Sequence, residues 1–332
     1  MLKYARVTGW GKYLPERIVT NQELEARVNT SDSWIQSRTG IRERRLAADD
    51  EMTSAMALKA SQQALEVSGL KPDLLELVIV ATVTPEMIFP PCASLVQHAL
   101  GARKAAAFDL NAACTGFVYA LATACQFISA GTFRNILIVG SEVYSRILDW
   151  DDRSTCVLFG DGAGAVVLEA SDSPPGLLSF VLGSDGSRPE LLYVPGPCGY
   201  QGSSKNEHYY LAMNGSEIFK FAVRAMSEAT KQALDAAGLD IANIALLIPH
   251  QANKRIVQAV AKLLGLPGER VFLNVERYGN TSAASIPIAL CEAVEEGRLK
   301  DGDHLVLVGF GGGLSWGAIV LQWGMGPLNR KG

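Results

Sequence analysis

Cys114 stands in Phe108-Asp-Leu-Asn-Ala-Ala-Cys-Thr-Gly-Phe117, where an apolar strand pattern gives way to a helical one carried by Val118, Leu121, Ala122 and Cys125. A thiol at a helix start faces unpaired N–H groups and the positive end of the helix dipole. Both favour the thiolate, so a lowered pKa and a nucleophilic sulfur are expected there. The plain alternative is a small buried thiol, which is the reading for Cys92, Cys125, Cys156, Cys198 and Cys291. His250 follows the apolar run Ala245 to Ile248 in Ile-Pro-His-Gln-Ala-Asn253, at a strand end too polar to continue the core. His98 falls in a helix pattern, His208 in a polar loop and His304 at a strand start; a lone histidine such as His250 is often structural. Asn280, in Leu273-Asn-Val-Glu-Arg-Tyr-Gly-Asn-Thr-Ser282, precedes a second helical run and equally suits a helix cap. Brought together, Cys, His and Asn make a nucleophile with two hydrogen-bond donors. No carboxylate partner for the histidine is evident, which points to a neutral imidazole that polarises a carbonyl rather than a strong base. Gly309-Phe-Gly-Gly-Gly313 offers backbone N–H groups to an oxyanion, or is simply a tight turn.

An internal duplication supplies the elements that must position these residues. Gln63-Ala-Leu-Glu-Val-Ser-Gly-Leu70 and the apolar run Leu77 to Ala81 recur as Gln232-Ala-Leu-Asp-Ala-Ala-Gly-Leu239 and Ala245 to Ile248. Each copy reads as an amphipathic helix closed by Gly and followed by a buried strand. Ala105 to Asn111 with a helical Cys114 to Ala130 then answers Val271 to Asn274 with a helical Thr281 to Glu296. Asn135 to Gly140 answers Asp303 to Gly309, and Ala163 to Leu168 answers Trp316 to Leu321. Four matching pieces in the same order argue against chance. They predict two similar α/β halves packed together, with equivalent strand ends converging on one cleft near the twofold axis.

The chain has 332 residues, 48% hydrophobic and 19% charged, enough to bury a large core; disorder and small disulfide scaffolds are excluded. Thirty Lys and Arg against 34 Asp and Glu give a formal charge of -4 and no global basic field for nucleic acid. Six dispersed cysteines without a CxxC pair point to free thiols in a reducing compartment and to no zinc site. No signal-like N-terminus and no apolar run near the roughly 18 residues of a spanning helix are present, so a cytoplasmic protein away from membranes is expected. Glycines and prolines are dispersed, and no linker divides the chain.

At Cys114, His250 and Asn280 the pattern closely resembles the β-ketoacyl-acyl-carrier-protein synthase III family of thiolase-fold condensing enzymes. The resemblance spans nearly the whole chain. It includes Asp32-Ser-Trp-Ile-Gln-Ser-Arg-Thr-Gly-Ile-Arg-Glu-Arg-Arg45, Val157-Leu-Phe-Gly-Asp-Gly-Ala-Gly164, Pro249-His-Gln-Ala-Asn253 and Phe310-Gly-Gly-Gly-Leu-Ser-Trp-Gly317. Thiolases pair the nucleophile with a histidine and a second cysteine, and hydroxymethylglutaryl-CoA synthases carry a glutamate in place of the asparagine.

The resemblance implies an α/β thiolase-like fold layered α-β-α-β-α, with a nucleophile half at 1–172 and a half bearing His and Asn at 173–332. It implies an acyl-Cys114 intermediate from a short acyl-CoA and an oxyanion held by backbone N–H groups of Cys114 and Gly312. Decarboxylative condensation with malonyl-carrier protein at His250 and Asn280 follows, with no metal or other cofactor. It places Trp34 and Arg153 on either side of the CoA adenine, with Arg38 near the phosphates and Asn253 also on CoA. An acidic carrier protein is expected at Lys220, Gln251, Arg255 and Lys262, with Arg224 one helical turn after Lys220; a merely solvated basic face would look the same. A homodimer is implied, in which Phe89 closes the partner's acyl pocket and limits chain length. The segment from Pro195 through His208 is longer and less regular than the family pattern and bears on acyl or carrier preference. A secondary-metabolism acyltransferase with the same three residues and a noncatalytic binding protein on this fold are the competing readings; the intact three count against the latter.

Overall fold

The computed structural model describes residues 4–196 and 210–324. Cys198, His208 and most of the 195–208 segment lie outside the described residues. Among the described residues, nine strands form the two main sheets. The first holds β1 (Tyr4–Tyr13), β2 (Leu77–Ala81), β3 (Ala106–Leu110), β4 (Asn135–Glu142) and β5 (Gly162–Ser171) in the order β1-β5-β4-β2-β3. The second holds β6 (Gly176–Ser184), β7 (Ile244–Pro249), β8 (His304–Gly311) and β9 (Ser315–Gln322) in the order β7-β8-β9-β6. In each sheet the pair β4–β2 or β8–β7 is parallel, and the two strands on the other side run antiparallel. The sheets thus share one topology, as the duplication predicts; β5 ends at Ser171 and β6 opens at Gly176.

The second sheet lacks a counterpart of β3. The run Val271 to Asn274, matched in the sequence to Ala105–Asn111, makes only one parallel bridge, Leu247 to Val271, and then turns into a short helix, Val275–Tyr278. Asn274 takes its backbone N–H to Gln251 Oε1 instead of to a strand.

Seven helices matter for the site: α1 (Asp32–Thr39), α2 (Thr53–Ser68), α3 (Cys92–Leu100), α4 (Gly116–Ser129), α5 (Gly215–Ala237), α6 (Lys254–Leu264) and α7 (Ser285–Glu295). Strand alternation sorts the core. Leu77 and Ile79 of β2, with Leu305 and Leu307 of β8, face a central layer filled by Phe117 and Leu121 of α4 and Ile286 and Leu290 of α7. Val78 and Val80 turn outward onto Met56 and Ala60 of α2 and Val96 of α3. Val306 and Val308 turn outward onto Met226 of α5 and Val260 of α6. Strands covered on both faces read as continuous apolar runs, which is why they were legible as such. The result is the five-layer α-β-α-β-α stack.

The central helices meet so closely that Gly140 of β4 has no room for a side chain. A Cβ there would stand 2.3 Å from the Ala283 carbonyl oxygen, part of the backbone that leads from Asn280 into α7. Gly140→Ala is therefore expected to lower stability by about 1–3 kcal/mol or more, because a backbone oxygen cannot step aside like a flexible side chain. Chemical denaturation checks this; a variant as stable as the parent would show that the two layers are not in contact there.

Candidate active site

Cys114 and Asn280 sit on twin turns. In the first half Asn111 Oδ1 accepts the Ala113 N–H at 3.2 Å, and in the second Asn280 Oδ1 accepts the Ser282 N–H at 2.8 Å. Ala113 and Ser282 are both left-handed, at φ 47° and 50°, a strained conformation for a residue with a Cβ. One residue later the first half carries Cys114 and the second Ala283, each in a 3-10 turn that opens α4 or α7. The duplicated turn thus delivers a thiol from one half and an asparagine amide from the other.

With Asn280 Oδ1 occupied, its Nδ2 group has no protein acceptor among the described residues and remains a donor. His250 continues from β7 with its N–H on Val308 O at 2.8 Å. Its Nδ1 lies 2.6 Å from Ser285 Oγ at the start of α7, and that oxygen accepts the Gln251 N–H at 3.3 Å. The Ser285 hydroxyl proton is left for Nδ1, an assignment made from the network that puts the ring proton on Nε2. Burial drives the His250 pKa down to about 3, so the imidazole is neutral at physiological pH.

Cys114, His250 and Asn280 line one cavity of about 1250 Å³ with Gly311, Gly312 and Gly313. Gly311 permits the approach of β8 to the nucleophile turn, since a Cβ there would stand 2.7 Å from Cys114 N. Met87, Ile88, Phe159, Leu192 and Leu211 give the cavity an apolar lining, and Trp34, Arg38, Phe219 and Asn253 also border it.

The thiol does not behave as its helix start alone suggests. Desolvation raises the Cys114 pKa to about 11, aided by the nearby Glu142 carboxylate, although the polar Ser282 and Tyr144 hydroxyls oppose the rise. A helix end contributes about 0.3–1 kcal/mol, less than the roughly 1.4 kcal/mol that each tenfold change in ionisation represents, so burial prevails.

Two further expectations need correction. Gln251 cannot meet a carrier protein: it is 1% exposed, and its amide bridges Pro249 O at 2.8 Å, Phe272 O at 3.2 Å and Asn274 N at 3.0 Å. Its role is to tie three backbone segments behind His250. Trp34 and Arg153 do not form an open slot. The Arg153 guanidinium lies 5.0 Å from the Trp34 ring centre and donates to Asn29 O at 2.7 Å, whereas a flat ring between them needs about 7 Å. Phe89 is 81% exposed and does not line the cavity of its own chain, although Met87 and Ile88 do.

The other positions lie on α5 and α6 or at the start of α6. Asn253 caps α6 through Arg255 N at 2.8 Å and donates to Arg38 O at 3.1 Å, so both its polar atoms are engaged. Lys220, Arg224, Arg255 and Lys262 are exposed on α5 and α6. Lys220 pairs with Glu217, and Arg224 and Arg255 lie over the Phe221 and Phe219 rings. Among the described residues no helix is long and apolar enough to cross a membrane.

Sequence reasoning passed over Glu142, Tyr144, Ser282 and Ser285. The twin-turn alignment was the available signal for Ser282, since it falls opposite Ala113 beside the nucleophile.

Comparison with known proteins agrees with this geometry. Residues 108–186 match the family model for 3-oxoacyl-[acyl-carrier-protein] synthase III, and residues 234–323 match that for its C-terminal part. A β-ketoacyl-[acyl-carrier-protein] synthase III of Roseiflexus castenholzii is 52% identical over 331 residues, 98% of this chain and 100% of that protein. The solved synthase III of Thermus thermophilus superposes with a TM-score of 0.91 at 51% identity, covering 96% of this chain and 99% of that one. A priming β-ketosynthase from the R1128 polyketide pathway gives 0.92 at 38% identity, covering 97% of each chain. The chain belongs to the β-ketoacyl-acyl-carrier-protein synthase III family, the condensing acyltransferases of fatty acid synthesis.

Proposed function

We propose that this chain joins a short acyl group from acyl-CoA, acetyl foremost, to malonyl-carrier protein through an acyl-Cys114 intermediate, with loss of carbon dioxide. The observation that carries the reading is the convergence of Cys114, His250 and Asn280, drawn from both halves, on one cavity. The Cys114 thiolate attacks the thioester carbonyl, backbone N–H groups of Cys114 and Gly312 hold the oxyanion, and CoA leaves. The malonyl thioester oxygen then accepts from His250 Nε2 and Asn280 Nδ2. Carbon dioxide departs, and the resulting enolate attacks the acyl-cysteine. Loss of carbon dioxide supplies the carbanion, so the scheme calls for no metal or cofactor, and a neutral histidine suits a donor better than a base.

The higher identity to fatty acid enzymes, 52% against 38% for the polyketide priming enzyme, favours primary metabolism. Trp34, Arg38 and Asn253 border the mouth as a CoA-binding group, with Arg153 swinging off Trp34 to admit the adenine. Exposed Lys220, Arg224, Arg255 and Lys262 provide a positive rim for an acidic carrier. Mass spectrometry after incubation with a panel of acyl-CoAs, followed by malonyl-carrier protein, tests the whole scheme: an acyl mass on Cys114 that disappears on condensation is expected.

The exposed run Met87-Ile88-Phe89 fits a homodimer in which Phe89 enters the partner's acyl pocket. Light scattering should give twice the chain mass. Phe89→Thr should admit dodecanoyl-CoA about tenfold better while retaining acetyl transfer, since extra methylenes in a filled site cost roughly 1–3 kcal/mol. Wild-type protein that takes dodecanoyl groups as readily as acetyl would exclude Phe89 as the pocket floor.

A further inference from the structure

Glu142 ends β4 fully buried against the Ser282–Ala284 turn. Three donors converge on its Oε2: Thr82 Oγ1 at 3.1 Å, Val83 N at 3.1 Å and Thr84 Oγ1 at 2.7 Å. Its Oε1 accepts from Ser282 Oγ at 3.1 Å, and the same hydroxyl lies 3.1 Å from Tyr144 OH. Ser282 and Tyr144 are also the hydroxyls that favour the charged form of Cys114, and the Ser282–Ala284 turn packs against the Ala113–Thr115 turn that carries the thiol. Ser282 therefore bonds the carboxylate from the turn that packs on the nucleophile turn. We infer that Glu142, through the Ser282 hydroxyl, accepts the proton that Cys114 sheds on acylation and holds it until condensation frees the sulfur, an inference that rests on the acylation reading above.

As Cys114 attacks the thioester, its S–H bond breaks and the proton passes to Ser282 Oγ, while the hydroxyl's own proton moves to Glu142 Oε1. The C–S bond to CoA breaks, and CoA leaves as a thiolate that takes a proton from solvent. When the enolate displaces the sulfur, Glu142 returns its proton by the reverse route and the thiol is restored. One solvent proton is consumed per turnover, as the release of neutral carbon dioxide from a carboxylate requires.

The surroundings favour this route over the histidine. His250 has Nδ1 tied to Ser285 and stays neutral, with its pKa near 3. Glu142 is raised to about 7 by desolvation, so near neutral pH it is ready both to take and to return a proton. The titratable groups facing it are Cys114 from the turn before α4 and Tyr144 just beyond β4; Cys92 at the start of α3 also feels its charge. No cation pairs with Glu142 among the described residues. Because it reaches the sulfur only through Ser282, Glu142 is a positioning residue.

The test follows acetylation of Cys114 by acetyl-CoA, read as intact-protein mass between about pH 5 and pH 10, in wild type, Glu142→Gln and Ser282→Ala. Wild type should show a rate that rises through an inflection near 7. Both variants should lose that inflection, acylate about 10²-fold more slowly at neutral pH, and climb about tenfold per pH unit towards the thiol pKa near 11. Ser282→Ala decides the matter where Glu142→Gln does not fold, because Ala113 already occupies the equivalent left-handed position at φ 47°. Either folded variant keeping the wild-type inflection overturns the relay, as does a Glu142→Gln that acylates faster than wild type, which would reduce Glu142 to a charge repelling the thiolate. Wild type that takes no acyl group removes the acylation reading itself, whereas acylating wild type with unchanged variants removes this inference alone.

Discussion

Cys114→Ser should lose acyl transfer by roughly 10³-fold or more while keeping its fold, because oxygen replaces sulfur at nearly constant shape but a hydroxyl supplies almost no anion at neutral pH. Ionisation alone does not single out Cys114. Burial also raises Cys156 to about 11 and Cys291 to about 12, and pushes Cys92 and Cys125 higher still. Among these five described cysteines, Cys114 is the one that lines the cavity, and it alone has the Ser282 and Tyr144 hydroxyls favouring its thiolate. Selectivity should thus come from access and from the stabilisation of charge as the bond forms. Peptide mapping after acetyl-CoA treatment should find the acetyl mass on the Cys114 peptide in wild type and on no peptide in the variant. Acylation of another cysteine, or none with any acyl-CoA, would remove Cys114 as the nucleophile.

Apart from the edge strand β3, the strands legible in the sequence are those covered on both faces. Leu77–Ala81 is apolar throughout, and β2 has those same bounds. The strands that escaped notice were β1 and β6, which lie at sheet edges and have partly exposed, glycine-broken sequences such as Tyr4–Tyr13. Glu142 escaped for a related reason: the apolar run ends at Gly140, but pairing with β5 carries β4 two residues further and buries a carboxylate. Gln251 looked like a surface polar residue because its partners, Phe272 and Asn274, are distant in sequence and have no pattern that announces them. The direction of the Cys114 pKa failed similarly. A helix start is a local feature that sequence reveals, whereas the desolvation that outweighs it depends on β8, Ser282 and Tyr144 folding around the thiol.

His250→Ala and Asn280→Ala should each slow decarboxylation of malonyl-carrier protein by about 10²- to 10³-fold, the usual cost of one oxyanion donor, and slow acylation of Cys114 only a few-fold. The split is expected because the groups that govern the Cys114 thiol are Ser282, Glu142 and Tyr144, with neither His250 nor Asn280 among them. Alanine at 280 also removes the acceptor for Ser282 N–H, so it disturbs the strained turn as well as the donor. Asn280→Asp separates the two effects: a carboxylate oxygen can still accept from Ser282, but the Nδ2 donor is gone and a negative charge faces the developing enolate. Asp should therefore impair decarboxylation more than Ala while preserving the turn better, with acylation as the internal control. If Asn280→Asp decarboxylated malonyl-carrier protein at the wild-type rate, or if either alanine variant acylated slowly yet decarboxylated normally, the assignment of the two donors to the malonyl carbonyl would be wrong.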